Sequence, residues 1–521
     1  MRSETTPPEL EAPADDALPA EAIREAGLTG VRWGALERVV SEMVGAGAMI
    51  ALARLLTPSE FGTAVIGFAA MEYAWVVPNQ SVSVPLVQRR ETSRLHLEAG
   101  GAIALLEGLL LGALVFLVAA PLTRKALGHD AGSLVELSSL AFVLNGVLAV
   151  PQALLERRLH FRRLASISIT GAFVAPIVSV ALAAVGVGPE ALVLGPLVGL
   201  GVVLVLTWAS APAPLPRWRR SAARDVVGFG APTLGSGLLR SSWNNVDYAV
   251  VAARVNATSL GLYWRAYTFG VLYGSKVTAV LSTLALPLYS RAGRETQLAL
   301  RRRLMRLQSL TVFPLLAAMI LLAPAVIPFA LGEAWERAVV PTQVLALAGM
   351  ANVIQSGTSP LVLALGRPGA MLTWNLVNVI GLAIVAYLFS PLGLVPLSCA
   401  LSVFFVVRVA IGQEVMLRRI AGTAVGELWR SCLPALAATA GMLAIGGAIL
   451  VAMSELGAPD GVGAGLAVAL GGATYLAILR FGFAPVLADL VSILRRLLPR
   501  RGPPVDEPGV GVEEKIAGSR P

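Results

Sequence analysis

The sequence predicts an all-α polytopic membrane protein, and three observations carry that reading. Of 521 residues, 56% are hydrophobic and only 14% are charged, whereas soluble domains carry about a quarter charged residues. Apolar runs long enough to cross a hydrocarbon core of about 30 Å recur from near residue 34 to residue 481. Nearly all connections between them are short, which leaves no room for a folded soluble domain. Cys399 and Cys432 both lie inside apolar runs, so the cysteines indicate neither a disulfide framework nor a thiolate metal site.

Taken in order, the runs predict about 14 transmembrane helices, over 32–56, 62–87, 97–122, 134–155, 164–186, 190–210, 226–253, 258–289, 307–331, 339–365, 370–390, 393–416, 431–454 and 462–482. Residues 1–28 are acidic and proline-bearing, and no basic segment precedes an apolar core there, so a signal peptide is not expected. Residues 1–28 and the Pro/Gly-rich tail 486–521 read as disordered cytoplasmic extensions.

Charge sets the expected orientation. Lys and Arg crowd into alternate connections: "QRRETSRLH", "ERRLHFRR", "PRWRRSAARD", "RAGRETQLALRRRLMR", "GRPG", "RRIAGTAVGELWR" and the terminal "RRLLPRR". The opposite set holds only Arg124, Lys125, Arg254 and Arg337. Basic residues stay on the cytoplasmic side, so both termini are expected there. The same placement explains the net charge of +9 by orientation, without nucleic acid as a partner.

An internal repeat runs through the spans. "TPSEFG" ending at Gly62 parallels "ATSLG" ending at Gly261, and "VPLVQR" at Val84 parallels "LPLYSR" at Leu286. "ALG" recurs at Ala126 and Ala330, while Gly146, Val150 and Gln152 meet Gly349, Val353 and Gln355. The offsets stay close to 200 residues throughout. Six spans per unit is an even number, so the halves share one orientation about an axis along the membrane normal. The expected organisation is a six-helix lobe over 29–212, a second over 213–425, and two additional helices over 426–485.

Ionisable residues inside spans mark the candidate site, because a charge at mid-bilayer costs at least about 2.5 kcal/mol unless it meets a partner or water. In "RSSWNNVDYAVVAARV", Arg240, Asn244 and Asp247 fall at i, i+4 and i+7, the spacing of one helical face. Arg265 and Lys276 are eleven residues apart, close to three full turns, and are expected to share a face as well. Arg38 and Glu42 are one turn apart and either neutralise each other or serve the cavity. Mid-membrane carboxylates (Glu42, Glu72, Glu107) lie in the first half, and cations (Arg240, Lys276, Arg408) mostly in the second. An anionic head group suits the cations; a proton or sodium ion suits the carboxylates, with Asp247 a further candidate.

Other chemistry is not indicated. "GVLYGSK" has the wrong spacing for a phosphate loop and lies in an apolar span. His96, His129 and His160 are scattered over separate loops, so no metal site, cofactor or catalytic group is expected.

"ARLLTPSEFG" at Ala53, "VPLVQRR" at Val84 and "NNVDYAVVAARVNATSLGLYWRAYTFG" at Asn244 resemble polysaccharide flippases of the multidrug/oligosaccharidyl-lipid/polysaccharide exporter (MOP) superfamily, as do "LPLYSRAGR" and "LLAPAVIPFALGEAWERAVVPTQVLALAGM". The resemblance covers about residues 30–420. It implies two lobes around a central cavity and alternating-access transport of a polyprenyl-diphosphate-linked oligosaccharide across a bacterial inner membrane. Membrane lipids and other polysaccharide assembly proteins are the implied partners, and the protein is not expected to be an enzyme. The family pattern falls on Asn244 or Asn245, Asp247, Arg254, Tyr263 and Arg265, with Arg240 and Lys276 as counterparts of the cations that hold the diphosphate. A drug or metabolite antiporter of the same fold and a lipid II flippase are the alternatives. An antiporter would favour an acidic, aromatic pocket over cations.

Overall fold

The computed structural model describes residues 20–488, apart from 90, 283, 284 and 424. Every regular element among them is helical. We number the long helices α1 (Ala20–Leu55), α2 (Pro58–Gln88), α3 (Arg94–Leu127), α4 (His129–Arg157), α5 (Phe161–Ala184), α6 (Gly188–Ser210) and α7 (Arg220–Arg254). Then follow α8 (257–282), α9 (Arg294–Leu331), α10 (Glu333–Ala364), α11 (Pro368–Leu392), α12 (Leu394–Ala421), α13 (Val425–Glu455) and α14 (Asp460–Gly482).

Eleven described helices are long and apolar enough to cross a membrane, short of the fourteen expected. The shortfall falls on α1, α7 and α8. These three carry Arg38 and Glu42, Arg240 and Asp247, and Arg265 and Lys276. Their polarity has a structural counterpart: all three border the seam between the two halves.

The repeat is visible in the packing. Helix α1 lies on α5 as α7 lies on α11, and α5 meets α6 as α11 meets α12. Likewise α3 packs on α4 and α9 on α10, while α4 meets α6 and α10 meets α12. Helix starts repeat too. Thr57 and Glu60 form a capping box at α2, and the Asn256 side chain accepts from the Ser259 N–H at 2.8 Å to open α8. Each cap satisfies an N–H that the first turn leaves without a helical partner.

Between the lobes, α2 packs on α8 and α7. Glycines permit the α2–α7 approach: a Cβ on Gly230 would lie 2.1 Å from the Ser81 carbonyl oxygen. There the Thr233 hydroxyl also donates to the Gln80 carbonyl at 2.6 Å. Helices α13 and α14 pair with each other and lie on α9, where Tyr475 Oη donates to the Leu310 carbonyl at 2.9 Å.

Two helix starts lie more than ten residues from the sequence reading. Helix α1 begins at Ala20, inside the extension expected to be disordered, because "AEAIREAG" follows Pro19 with strong helix formers. Residues 1–19 and 489–521, with the rest of those extensions and the terminal basic run, lie outside the described residues. Helix α9 begins at Arg294 rather than 307 and runs for 38 residues, about 57 Å at 1.5 Å per residue. Its basic first turns are therefore helix, not loop. Their charge is used in contacts: Arg302 Nη1 lies 2.6 Å from Glu427 Oε1, and Arg301 Nη2 donates to Gln413 Oε1 at 2.9 Å.

Candidate functional site

The seam carries two clusters of intramembrane ionisable side chains, one on each side of α2 and α8. On the α2–α7 side, Glu72 accepts from Ser241 Oγ at 2.8 Å and from Asn245 Nδ2 at 2.7 Å. Ser241 and Asn245 are one turn apart on α7, so one helical face offers two donors to one carboxylate. Asn244 is exposed and reaches Glu72 at 3.5 Å. Tyr73 and Ser242 hydroxyls meet at 3.2 Å beside them. Glu107 on α3 accepts from Ser81 Oγ at 2.6 Å.

On the α1–α8 side, Lys276 Nζ lies 2.6 Å from Glu42 Oε2. Both side chains remain nearly half exposed, at 48% and 42%, so the pair borders open space rather than core. Lys276 also stands 5.4 Å from the Tyr273 ring. Glu42 thus pairs across the seam with α8, not with Arg38 one turn away. Arg38 and Arg240 are both exposed. Arg240 lines a cavity of about 600 Å³ together with Gln80, Trp243, Ser359 and Asn375.

The expected stripe on α7 does not meet one environment. Arg240 and Asn244 are exposed, whereas Asp247 is 1% exposed and accepts from Tyr263 Oη at 2.6 Å. Tyr248 packs edge to face on Tyr263 and Tyr267 around that bond, and those two rings lie tilted to each other, all at 5.6–5.9 Å. Seven residues turn an α-helix only about 20° off register, so the difference lies in the neighbours along the helix: the tyrosines of α8 cover Asp247, while nothing covers Arg240.

Arg265 and Lys276 do not share a face either. Between them, Thr268–Leu272 is a π-helical segment. One extra residue in a turn rotates everything beyond it by about 100° relative to an unbroken α-helix. Lys276 therefore faces open space while Arg265 is fully buried. The Arg265 guanidinium lies 4.7–5.7 Å from the rings of Phe61, Trp264, Phe269 and Trp335 and contacts Met49 Sδ. Cation–π contacts substitute there for a carboxylate.

Some residues of the site carry a weak sequence signal. Asn352 and Gln355 are one turn apart within an otherwise apolar span, and amides there mark an inward face. In the structure Arg408 Nη2 donates to Asn352 Oδ1 at 2.6 Å.

Two matched six-helix lobes, with charge concentrated at their seam, define a class: a polytopic, all-helical membrane protein built from two similar halves. The chain belongs to the polysaccharide biosynthesis protein family, whose model matches residues 51–340. It is similar to the teichuronic acid biosynthesis protein TuaB of Bacillus subtilis, with 21% identity over 67% of this chain and 73% of that protein. It is similar also to the lipopolysaccharide biosynthesis protein WzxC of Escherichia coli, with 23% identity over 68% of this chain and 73% of that one. Among solved structures, the lipid II flippase MurJ in its inward closed conformation superposes with a TM-score of 0.69, covering 87% of this chain and 99% of its own. At 14% identity that likeness establishes the fold alone.

Proposed function

We propose that this protein is a flippase. It carries a polyprenyl-diphosphate-linked oligosaccharide from the cytoplasmic to the outer leaflet of a bacterial inner membrane by alternating access, for surface polysaccharide biosynthesis. Family membership and relatives named for teichuronic acid and lipopolysaccharide biosynthesis support the cargo class. On this reading both termini are cytoplasmic, other polysaccharide assembly proteins are partners, and the chain makes and breaks no bond of the glycan.

The observation that carries the reading is the Lys276–Glu42 pair, which joins the two lobes through half-exposed side chains. An ion pair across the seam must break if the lobes part. A diphosphate entering between them supplies the negative charge that replaces Glu42 at Lys276. Arg240 and Arg38, both facing open space, lower the cost of desolvating the same group. The lipid tail stays in the bilayer while the head group crosses. Asn244 at the edge of the cleft offers a neutral contact. Arg265 and Asp247, both buried here, would act on cargo only after the seam opens. Glu42, released from Lys276, and Glu72 on the opposite side of the seam are the carboxylates best placed to exchange a proton or sodium ion, ahead of Glu107 and Asp247.

Deletion of the gene tests this reading. The expected result is loss of surface polysaccharide with accumulation of the lipid-linked repeat at the cytoplasmic face, restored by the wild-type chain. Undiminished surface polysaccharide in the deletion strain would refute it.

A further inference from the structure

A second polar cavity, of about 320 Å³, lies within the second lobe between α7, α8, α10, α11 and α12. It is at the small end of the range for small-molecule sites, about 300–1,000 Å³. Its described lining contains no carboxylate and one cation, Arg408. Arg408 is only 7% exposed, stacks on Trp243 at 4.6 Å and Phe405 at 4.8 Å, and leaves its Nε without a partner. Gln355 is 9% exposed, and neither its amide nitrogen nor its amide oxygen has a partner. Asn352 and Asn375 add amide groups, and Trp374 forms one wall.

Such a lining is costly without an occupant. A buried amide with both atoms unpaired forfeits about 1–3 kcal/mol at each, and a buried arginine asks for a negative charge. Amides that both donate and accept match sugar hydroxyls, and indole rings give flat apolar surfaces for a pyranose face. This cavity shares Trp243, Ser359, Met371 and Asn375 with the cavity that holds Arg240. The two are therefore contiguous. Without a carboxylate, the lining is unsuited to a metal or sodium ion.

We infer that this cavity is a saccharide subsite, taking a sugar residue that bears a carboxylate, with Arg408 on the acid and Gln355 on the hydroxyls. It deepens the flippase reading and rests on it: the diphosphate sits at the seam while an acidic sugar of the same head group enters the second lobe. Specificity for the glycan would then reside in one lobe and recognition of the lipid diphosphate at the seam.

The test uses the full-length purified protein with Cys399→Ser and Ala279→Cys, since Ala279 is exposed and lines only the second of these cavities. Cys432 is buried and stays silent. The rate of maleimide labelling is read with digalacturonate, maltose or inorganic pyrophosphate present. Digalacturonate is expected to slow labelling strongly, maltose weakly and pyrophosphate not at all. Arg408→Gln should weaken protection by digalacturonate about tenfold, as loss of one charged hydrogen bond does. Gln355→Leu should weaken it for both sugars. Protection by pyrophosphate, equal protection by maltose, or no protection by any probe would overturn the subsite. None of these results depends on transport, so the flippase reading stands or falls separately on the deletion strain.

Discussion

Gly62 on α2 and Gly261 on α8 face each other across the seam in a reciprocal contact. A Cβ on Gly62 would lie 1.7 Å from the Ala257 carbonyl oxygen, and one on Gly261 would lie 1.9 Å from the Pro58 carbonyl oxygen. Each would also sit 2.9 Å from the other glycine's nitrogen. These are the very residues that end the repeated "TPSEFG" and "ATSLG" motifs. Equivalent positions of two repeats touch only near the axis that relates them. The seam at this level is backbone against backbone, and only glycine fits.

Gly62→Ala and Gly261→Ala should therefore each force α2 and α8 apart. Overpacking of this kind costs about 1–3 kcal/mol or more. Gly34 on α1 has nothing within 4 Å of a built Cβ, so Gly34→Ala should be neutral or stabilising by about 0.5–1 kcal/mol. Thermal unfolding of the purified variants checks the contrast in sign.

The Glu72 clamp makes a second prediction. Asn245→Leu removes the 2.7 Å donor and leaves Glu72 under-bonded, at an expected cost of about 1–3 kcal/mol. Glu72→Gln/Asn245→Leu together should be less damaging than the sum of the single changes. A double-mutant cycle on thermal unfolding measures that coupling.

For Asp247 the structure predicts that charge matters less than the bond. Asp247→Asn keeps an acceptor for Tyr263, so stability should hold within about 1 kcal/mol. Tyr263→Phe strands a buried carboxylate oxygen and should destabilise by about 1–3 kcal/mol. The order of the two melting temperatures decides.

Arg265 is buried among aromatic rings with no carboxylate partner among the described residues. Arg265→Met fills similar space without a buried charge and should leave stability equal or raised, as replacing a buried charge with a matched apolar chain often does. Arg265→Glu should abolish folding, seen as loss of the monodisperse protein on size-exclusion chromatography.

What was legible in the sequence follows from which signals are local. Long apolar runs report helices directly, and the repeat was readable because a glycine that must pack against backbone admits no substitute at Gly62 or Gly261. Face sharing was not readable. The spacing of Arg265 and Lys276 gives the right answer only for an unbroken α-helix, and the π-helical turn at Thr268–Leu272 has no sequence signature. Pairing choices were equally hidden: Glu42 has Arg38 one turn away, yet its partner comes from α8, more than 230 residues on. Helix α9 starts thirteen residues before its apolar run, because arginine, typical of cytoplasmic loops, is also a good helix former.

If exposed cations at the seam hold the lipid-linked diphosphate, as proposed above, cells whose only copy carries Lys276→Ala or Arg240→Ala should show the loss in their surface polysaccharide. Membrane abundance of each variant should match wild type while surface polymer falls sharply in both. Normal surface polymer in both strains would mean that neither cation holds the diphosphate.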